Sequence, residues 1–203
     1  EESSFSNCDQ LIDFSISDFS NLIKFGKHLF AYDQITKLFI PSSLENIEEG
    51  WCYGANYLTR LNISPLNKNF IYYDEILLID KQTGVILFAN RDIDSCIIPS
   101  NVKRIGNYSF ENCEILQSLQ FENPSKSILA EIGTGAFQYC IGLSTIKEIP
   151  SSLKIIDDYA FYGCNELTNF EINSDSKIEK ICKSAFDDTS ISSFYIPDSL
   201  QII

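Results

Sequence analysis

Histidine is nearly absent from this chain: His28 is the single one among 203 residues. Ser-His and Cys-His nucleophilic arrangements therefore have one candidate base, which sits in Gly26-Lys27-His28-Leu29 with no acidic residue beside it. A histidine-based metal site would need ligands the sequence does not supply. The phosphate-cradling patterns G-x-x-x-x-G-K-S/T and G-x-G-x-x-G are missing, so nucleotide binding has no support. No C-x-x-C spacing and no D-x-D-x-D-G loop occurs, which leaves zinc, redox and calcium sites without a pattern. Basic residues are also scarce, 15 Lys and Arg against 28 Asp and Glu; the net charge of −13 argues against nucleic acid as a partner. No apolar run reaches the roughly eighteen residues of a membrane-crossing helix. Acidic pairs do occur at Glu48-Glu49, Asp157-Asp158 and Asp187-Asp188. Nothing sets two carboxylates across a cleft, and they read as solvated charge. The chain is expected to be non-enzymatic, with no cofactor and no metal.

What the sequence does contain is a repeat. IGNYSFENCEILQSLQF from Ile105 is followed by IGTGAFQYCIGLSTI from Ile132, IDDYAFYGCNELTNF from Ile156 and ICKSAFDDTSISSF from Ile181. Phe110, Phe137, Phe161 and Phe186 form one column at spacings of 27, 24 and 25 residues. Ile105, Ile132, Ile156 and Ile181 form a second, Cys113, Cys140 and Cys164 a third, and Leu116, Leu143 and Leu167 a fourth. Looser copies precede these. In one, Cys52 takes the Phe position and Ala55 the Cys position; in another, Leu22, Phe25 and Phe30 lead to Ile35, Leu38 and Ile40. Phe5, Cys8, Leu11, Phe14 and Ile16 fit the second half of a unit. After Phe30 and Phe186 the turn is a residue shorter and carries no Cys, so that slot belongs to one corner of a coil. Apolar columns recurring at this period predict a solenoid, whose turns bury their apolar faces only against one another.

The L-x-x-L-x-F segment alternates and predicts a short strand, stacked once per repeat into a parallel ladder. The I-P steps at Ile40-Pro41, Ile98-Pro99, Ile149-Pro150 and Ile196-Pro197 suit strand ends. Gly106 and Gly133, just after the Ile column, are expected where a turn needs positive φ.

The pattern I-P-x-x-V-x-x-I-G-x-x-A-F-x-x-C-x-x-L-x-x-I-x-I resembles the BspA-like leucine-rich repeats of bacterial and protozoan surface proteins. The resemblance covers residues 4–63 and 97–203, in about six units, two of them partial. It implies an α/β-type repeat solenoid that is predominantly β, with a parallel strand ladder on one face. Residues 1–203 are expected to form a single solenoid cut from a longer array, since the chain opens and closes inside a repeat. Residues 64–96 depart from the pattern; the runs Ile76–Ile79 and Val85–Ala89 around Asp80-Lys81-Gln82-Thr83-Gly84 predict an inserted β-hairpin that extends the sheet.

Four of the seven cysteines, Cys8, Cys113, Cys140 and Cys164, share one column and read as small buried hydrophobes. Strand spacing of about 4.7–4.9 Å leaves a bridge between neighbours geometrically open. Two sequons, Asn62-Ile63-Ser64 and Asn107-Tyr108-Ser109, permit secretion without arguing for it.

Function is expected on the strand face. One outward column holds Ser15, Phe39, Asn62, Gln120, Lys147, Glu171 and Tyr195; the column two before it holds Asp13, Lys37, Arg60, Ser118, Thr145, Asn169 and Ser193. Phe39, Arg60 and Tyr195 are residue types enriched at interface hot spots. The expected function is binding of a protein partner, and the resemblance implies adhesion to host or matrix proteins from the cell surface. An intracellular scaffold, cytoplasmic or cytoskeletal and holding a complex subunit by the same ladder, is the alternative.

Overall fold

A computed structural model describes all residues, Glu1–Ile203. Before the insertion the strands are β1 (Lys24–Phe25), β2 (Lys37–Ile40), β3 (Asn46–Ile47) and β4 (Arg60–Ile63). The insertion forms β5 (Phe70–Tyr73), β6 (Leu77–Asp80) and β7 (Val85–Ala89). After it come β8 (Ser95–Ile98), β9 (Arg104–Ile105), β10 (Ser118–Phe121), β11 (Glu131–Ile132), β12 (Thr145–Ile146), β13 (Ile155–Ile156), β14 (Asn169–Phe170) and β15 (Lys180–Ile181). The fold is a predominantly β solenoid, and its one helical piece is the 3-10 turn Pro124–Lys126.

The expected ladder is present as β8, β10, β12 and β14, in register through Cys96, Leu119, Ile146 and Phe170. A second, narrower ladder runs beside it. There Ile105, Ile132, Ile156 and Ile181 stack directly on one another across β9, β11, β13 and β15. Two-residue strands leave no alternation to read, so the sequence showed this column only as a conserved spacing of isoleucine.

Between the two ladders each turn rounds a corner at the Phe column. Residues two before and two after that position adopt positive φ: His28 and Tyr32 around Phe30, Tyr108 and Asn112 around Phe110, Tyr159 and Gly163 around Phe161. The kinks aim alternate N–H groups at the next turn. Tyr108, Phe110 and Asn112 donate to Thr134, Ala136 and Gln138 at 3.0, 2.8 and 2.9 Å, and Gly135, Phe137 and Tyr139 repeat the pattern one turn on. Gly106 and Gly133 are not among the positive-φ residues, contrary to expectation. Gly106 is needed for close approach instead: a Cβ there would lie 2.5 Å from the Ile86 carbonyl oxygen.

The Phe rings stack along the axis, Phe110 to Phe137 at 4.7 Å, Phe137 to Phe161 at 5.2 Å and Phe161 to Phe186 at 5.3 Å. All seven cysteines are free thiols. Cys8 is exposed, contrary to its reading as a buried column member, because it lies in the first turn. The buried members Cys113, Cys140 and Cys164 do more than fill space, because each thiol donates to a main-chain carbonyl of the preceding turn. Cys140 reaches the Phe110 oxygen at 3.1 Å and Cys164 the Phe137 oxygen at 3.2 Å. The shortened turn after Phe30 keeps the slot and fills it with Asp33, 1% exposed. Its Oδ1 accepts from the Ile35 N–H, while Oδ2 has no partner, and burial raises the carboxyl to about 6.

The insertion is a three-stranded antiparallel meander rather than a hairpin, since β5 joins the expected β6–β7 pair. Strand β7 then pairs in parallel with β9, Ile86 against Ile105. Residues 85–98 thus form an abbreviated solenoid turn leading into β8. The meander also stands as a wall between two core blocks of 17 and 33 buried residues. Leu78, Leu87 and Phe88 face the first; Leu77, Ile79, Ile86 and Ala89 face the second. Burial on both faces explains why β6 and β7 read as continuous apolar runs.

Candidate protein-binding face

The wider ladder presents its outward columns because inward alternates such as Leu38, Leu61, Leu119 and Ile146 are anchored in the core. Lys37 lies beside Arg60 and Phe39 beside Asn62 across β2–β4. Ser95, Ser118, Thr145 and Asn169 continue the first outward column across β8, β10, β12 and β14. Gln120, Lys147 and Glu171 are exposed and line a shallow depression of about 510 Å³ with Thr145, Glu148 and Asn169. The two columns touch there, as Asn169 Nδ2 donates to Glu171 Oε1 at 2.8 Å. Lys147 and Glu171 lie one residue beyond their strands, and Tyr195 lies outside any strand with its side chain 51% exposed.

The structure does not join all the expected residues into one surface. No ladder pairing connects β4 to β8. The gap is occupied by the meander, where the Tyr72 hydroxyl donates to Asn90 Oδ1 at 2.5 Å and accepts from the Leu61 N–H at 3.3 Å. Phe39, Arg60 and Asn62 therefore belong to one block; Gln120, Lys147, Glu171 and Tyr195 follow the other. Phe39 is half-buried, not the exposed aromatic expected from alternation alone. Sequence reasoning missed Ile97, which pairs with Gln120 in register and is 54% exposed. The signal was available, since Ser95-Cys96-Ile97-Ile98 aligns with Ser118-Leu119-Gln120-Phe121; ending the insertion at residue 96 concealed it. Ile97 also lines a smaller hollow of about 190 Å³ with Tyr73, Asp74, Ile76 and Cys96.

Elsewhere the titratable groups serve the fold. His28 Nδ1 lies 4.0 Å from Glu2 Oε1, a neighbour supplied by coiling rather than by sequence, and its ring packs on Tyr53 at 4.9 Å. Asp157, Asp158 and Cys182 bring three ligand-type atoms within 4.8 Å of one another, the one such grouping in the chain. Both carboxylates are engaged in turn contacts: Asp157 Oδ2 accepts from the Thr134 hydroxyl and Asp158 Oδ1 from the Lys183 N–H. Of the two sequon asparagines, Asn62 is exposed, whereas Asn107 Oδ1 is held by Arg104 and by the Thr134 N–H.

Two parallel ladders per turn, a stacked Phe corner and a buried column of Leu116, Leu143 and Leu167 leading into the wider ladder define a leucine-rich-repeat solenoid. The chain belongs to the BspA type leucine rich repeat family, whose pattern matches residues 1–74 and 81–203 in 6 copies. No curated protein matches it. Among solved structures it is similar to the pneumococcal vaccine antigen PcpA, with 21% identity and a TM-score of 0.76, over 99% of this chain and 58% of that one. It is also similar to a leucine rich cell surface protein from Faecalibacterium prausnitzii, with 24% identity and a TM-score of 0.71, over 99% of this chain and 55% of that one. A third, a leucine rich repeat protein of T. pallidum, shares 23% identity at a TM-score of 0.53, over 67% of this chain and 62% of that one. The chain thus spans little more than half the length of the first structures it matches. No helix is long and apolar enough to cross a membrane.

Proposed function

We propose that this chain is a non-enzymatic protein-recognition segment of a surface or secreted protein, an adhesin that engages host or matrix proteins through the wider strand ladder. The observation that carries this reading is the exposed outward row in which Ile97 and Gln120 are paired in register and Lys147 and Glu171 follow directly on the strands that continue the ladder. Repeat solenoids offer such extended, pre-organised faces to protein partners. An apolar Ile97 within a polar, mixed-charge row supplies an anchor inside a hydrophilic rim. Membership of a family found in surface proteins, and likeness to one structure described as a cell surface protein, favour the extracellular side.

One observation favours an intracellular scaffold instead: all seven thiols are unpaired, as expected in a reducing compartment. Antibody labelling of intact cells, with a cytosolic protein as leak control, separates the two. Surface labelling supports the adhesin; labelling only after permeabilisation sinks it in favour of the scaffold. Partner capture by the Ile97→Asp/Tyr195→Asp protein then tests the face. Loss of capture with an unchanged melting curve is expected, and full capture would move the interface elsewhere.

A further inference from the structure

The corner between the two ladders carries aromatic residues where the backbone disfavours them. Tyr139 and Tyr159 both hold left-handed φ, 59° and 57°, a region that bulky L-residues rarely enter. Room for Tyr139 comes from the turn that follows it. A Cβ at Gly163 would lie 2.6 Å from Tyr139 Cδ1, so the ring lies across a position that only glycine leaves open. The Tyr139 and Tyr162 rings meet edge-to-face at 5.4 Å, and Tyr162 meets Tyr159 at 5.9 Å. Tyr139 remains 40% exposed.

The surroundings of these rings are acidic. Tyr139 N–H donates to the Tyr162 carbonyl, and Gly163 N–H donates to the Asp187 carbonyl, which stacks Asp187 and Asp188 on the turn after the rings. Both aspartates are exposed, and neither forms an ion pair. The phenol of Tyr162 is held above its ordinary range by Tyr139 first, then by partial burial and by Asp187 and Asp188, consistent with a clustered negative field. The surface already uses one of its rings for a cation: Lys183 Nζ sits 5.2 Å from the centre of Tyr159. Tyr139 and Tyr162 have no such partner within the chain.

We infer that Tyr139 and Tyr162, flanked by Asp187 and Asp188, form a second recognition site that takes an arginine-bearing extended segment of a protein partner. A guanidinium can lie flat on an aromatic face while its N–H groups reach carboxylates, a combination that lysine matches poorly. The site lies on the corner, off the wider ladder. It rests on the reading of the chain as a protein-recognition segment and adds a second surface and a ligand chemistry to it.

The test is fluorescence anisotropy at physiological salt with a labelled peptide of alternating arginine and glycine, and with its lysine counterpart. Saturable binding that prefers arginine is expected. The Tyr139→Leu/Tyr162→Leu protein should bind roughly tenfold more weakly, while the Tyr139→Phe/Tyr162→Phe protein, which keeps the aromatic faces, should bind as the parent does. Asp187→Asn/Asp188→Asn should also weaken binding, and Asn tolerates the left-handed φ of Asp188. Tyr57→Leu, which removes an exposed tyrosine elsewhere, is the control. Equal binding by the parent and the leucine pair would overturn the site, as would equal weakening by the phenylalanine pair. Loss of the peptide from Ile97→Asp/Tyr195→Asp but not from the leucine pair would overturn the corner site while leaving the ladder reading intact.

Discussion

Arg91 Nη1 donates to the carbonyl oxygen of Ser109 at 2.8 Å, although Arg91 is only 5% exposed and Ser109 fully buried. In the regular coil, the corner carbonyls of each turn accept N–H groups from the turn before. At Ser109 the turn before has been displaced by the meander, and Arg91 together with the Ala89 N–H takes over its donors. The same guanidinium reaches Tyr108, Cys52, Ala55 and Ala89 oxygens at 3.2–3.4 Å and lies 4.8 Å from the Phe88 ring centre. Arg91→Met should therefore strip a charged donor from five carbonyls, at about 0.5–1.5 kcal/mol for each hydrogen bond lost. Four of them keep a main-chain N–H, from Ala89 to Ser109, Glu111 to Tyr108, Ala55 to Cys52 and Leu58 to Ala55. Urea unfolding is expected to show a loss of ~3 kcal/mol or more, with Phe110 and its turn losing hydrogen-exchange protection first. A loss below ~1 kcal/mol would mean that water takes the place of the guanidinium.

A buried carboxyl near the same junction makes stability depend on pH. Glu111 is 3% exposed, and its Oε2 accepts from the Gly54 N–H at 2.7 Å. Burial raises it to about 7, against the opposing pull of that hydrogen bond and of Arg91. A carboxyl raised in the folded state holds its proton longer there than in the unfolded chain. Its contribution is thus complete below the unfolded value near 4.5 and is lost as pH rises through about 7. Asp33, raised to about 6 by burial, acts in the same direction. Melting temperature should fall between pH 5 and pH 7, and Glu111→Gln with Asp33→Asn should flatten that slope. A slope unchanged by the double variant would place its origin elsewhere.

The central ring of the stack sets the cohesion of the C-terminal turns. Phe137 is fully buried between Phe110 and Phe161. Phe137→Ala should cost about 3–5 kcal/mol through the lost contacts and the cavity left behind. Because each turn contacts only its neighbours, protection in hydrogen exchange should fall around Phe110 and Phe161 while the block around Trp51 is spared. Uniform loss across both blocks would show that the meander couples them rather than divides them.

The Phe, Leu and Cys columns and the wider ladder were legible because each recurs at a fixed offset and faces inward. The narrower ladder was not, since a strand of two residues has no alternation. Asp33 showed in the sequence only as a missing cysteine, because a carboxylate in an apolar column breaks the pattern that would place it. Arg91 was illegible for a different reason: its partners, around residues 52, 55 and 108, come together only through the insertion. On the candidate face, alternation located Gln120, Lys147 and Glu171 correctly as outward residues. It could not register that Phe39 is half-buried, since alternation assigns a side chain to a face and not a degree of exposure.

The thiol column makes a prediction about reactivity that follows from burial alone. Cys113 and Cys140 are inaccessible, and desolvation pushes both thiols well above their usual range; Cys96 and Cys52 are raised to about 12 and about 11 for the same first reason. Thiolate, not thiol, is the nucleophile toward disulfide reagents, so accessibility and ionisation both protect these positions. Cys8 is exposed and Cys182 partly so, with Cys182 raised by burial against the pull of Lys180. Titration of the native protein with a chromogenic disulfide should show Cys8 reacting rapidly and Cys182 slowly. The other five should react only after unfolding in guanidinium, when all 7 become available. Because the Cys140 and Cys164 thiols donate across turns, Cys140→Ala should lower stability beyond the loss expected for a small cavity, whereas Cys140→Ser, which keeps a donor for the Phe110 carbonyl, should recover part of it. Rapid native reaction at Cys113, Cys140 or Cys164 would mean that the corner opens on the timescale of the titration, and the stacked turns would then be far less cohesive than their hydrogen bonds indicate.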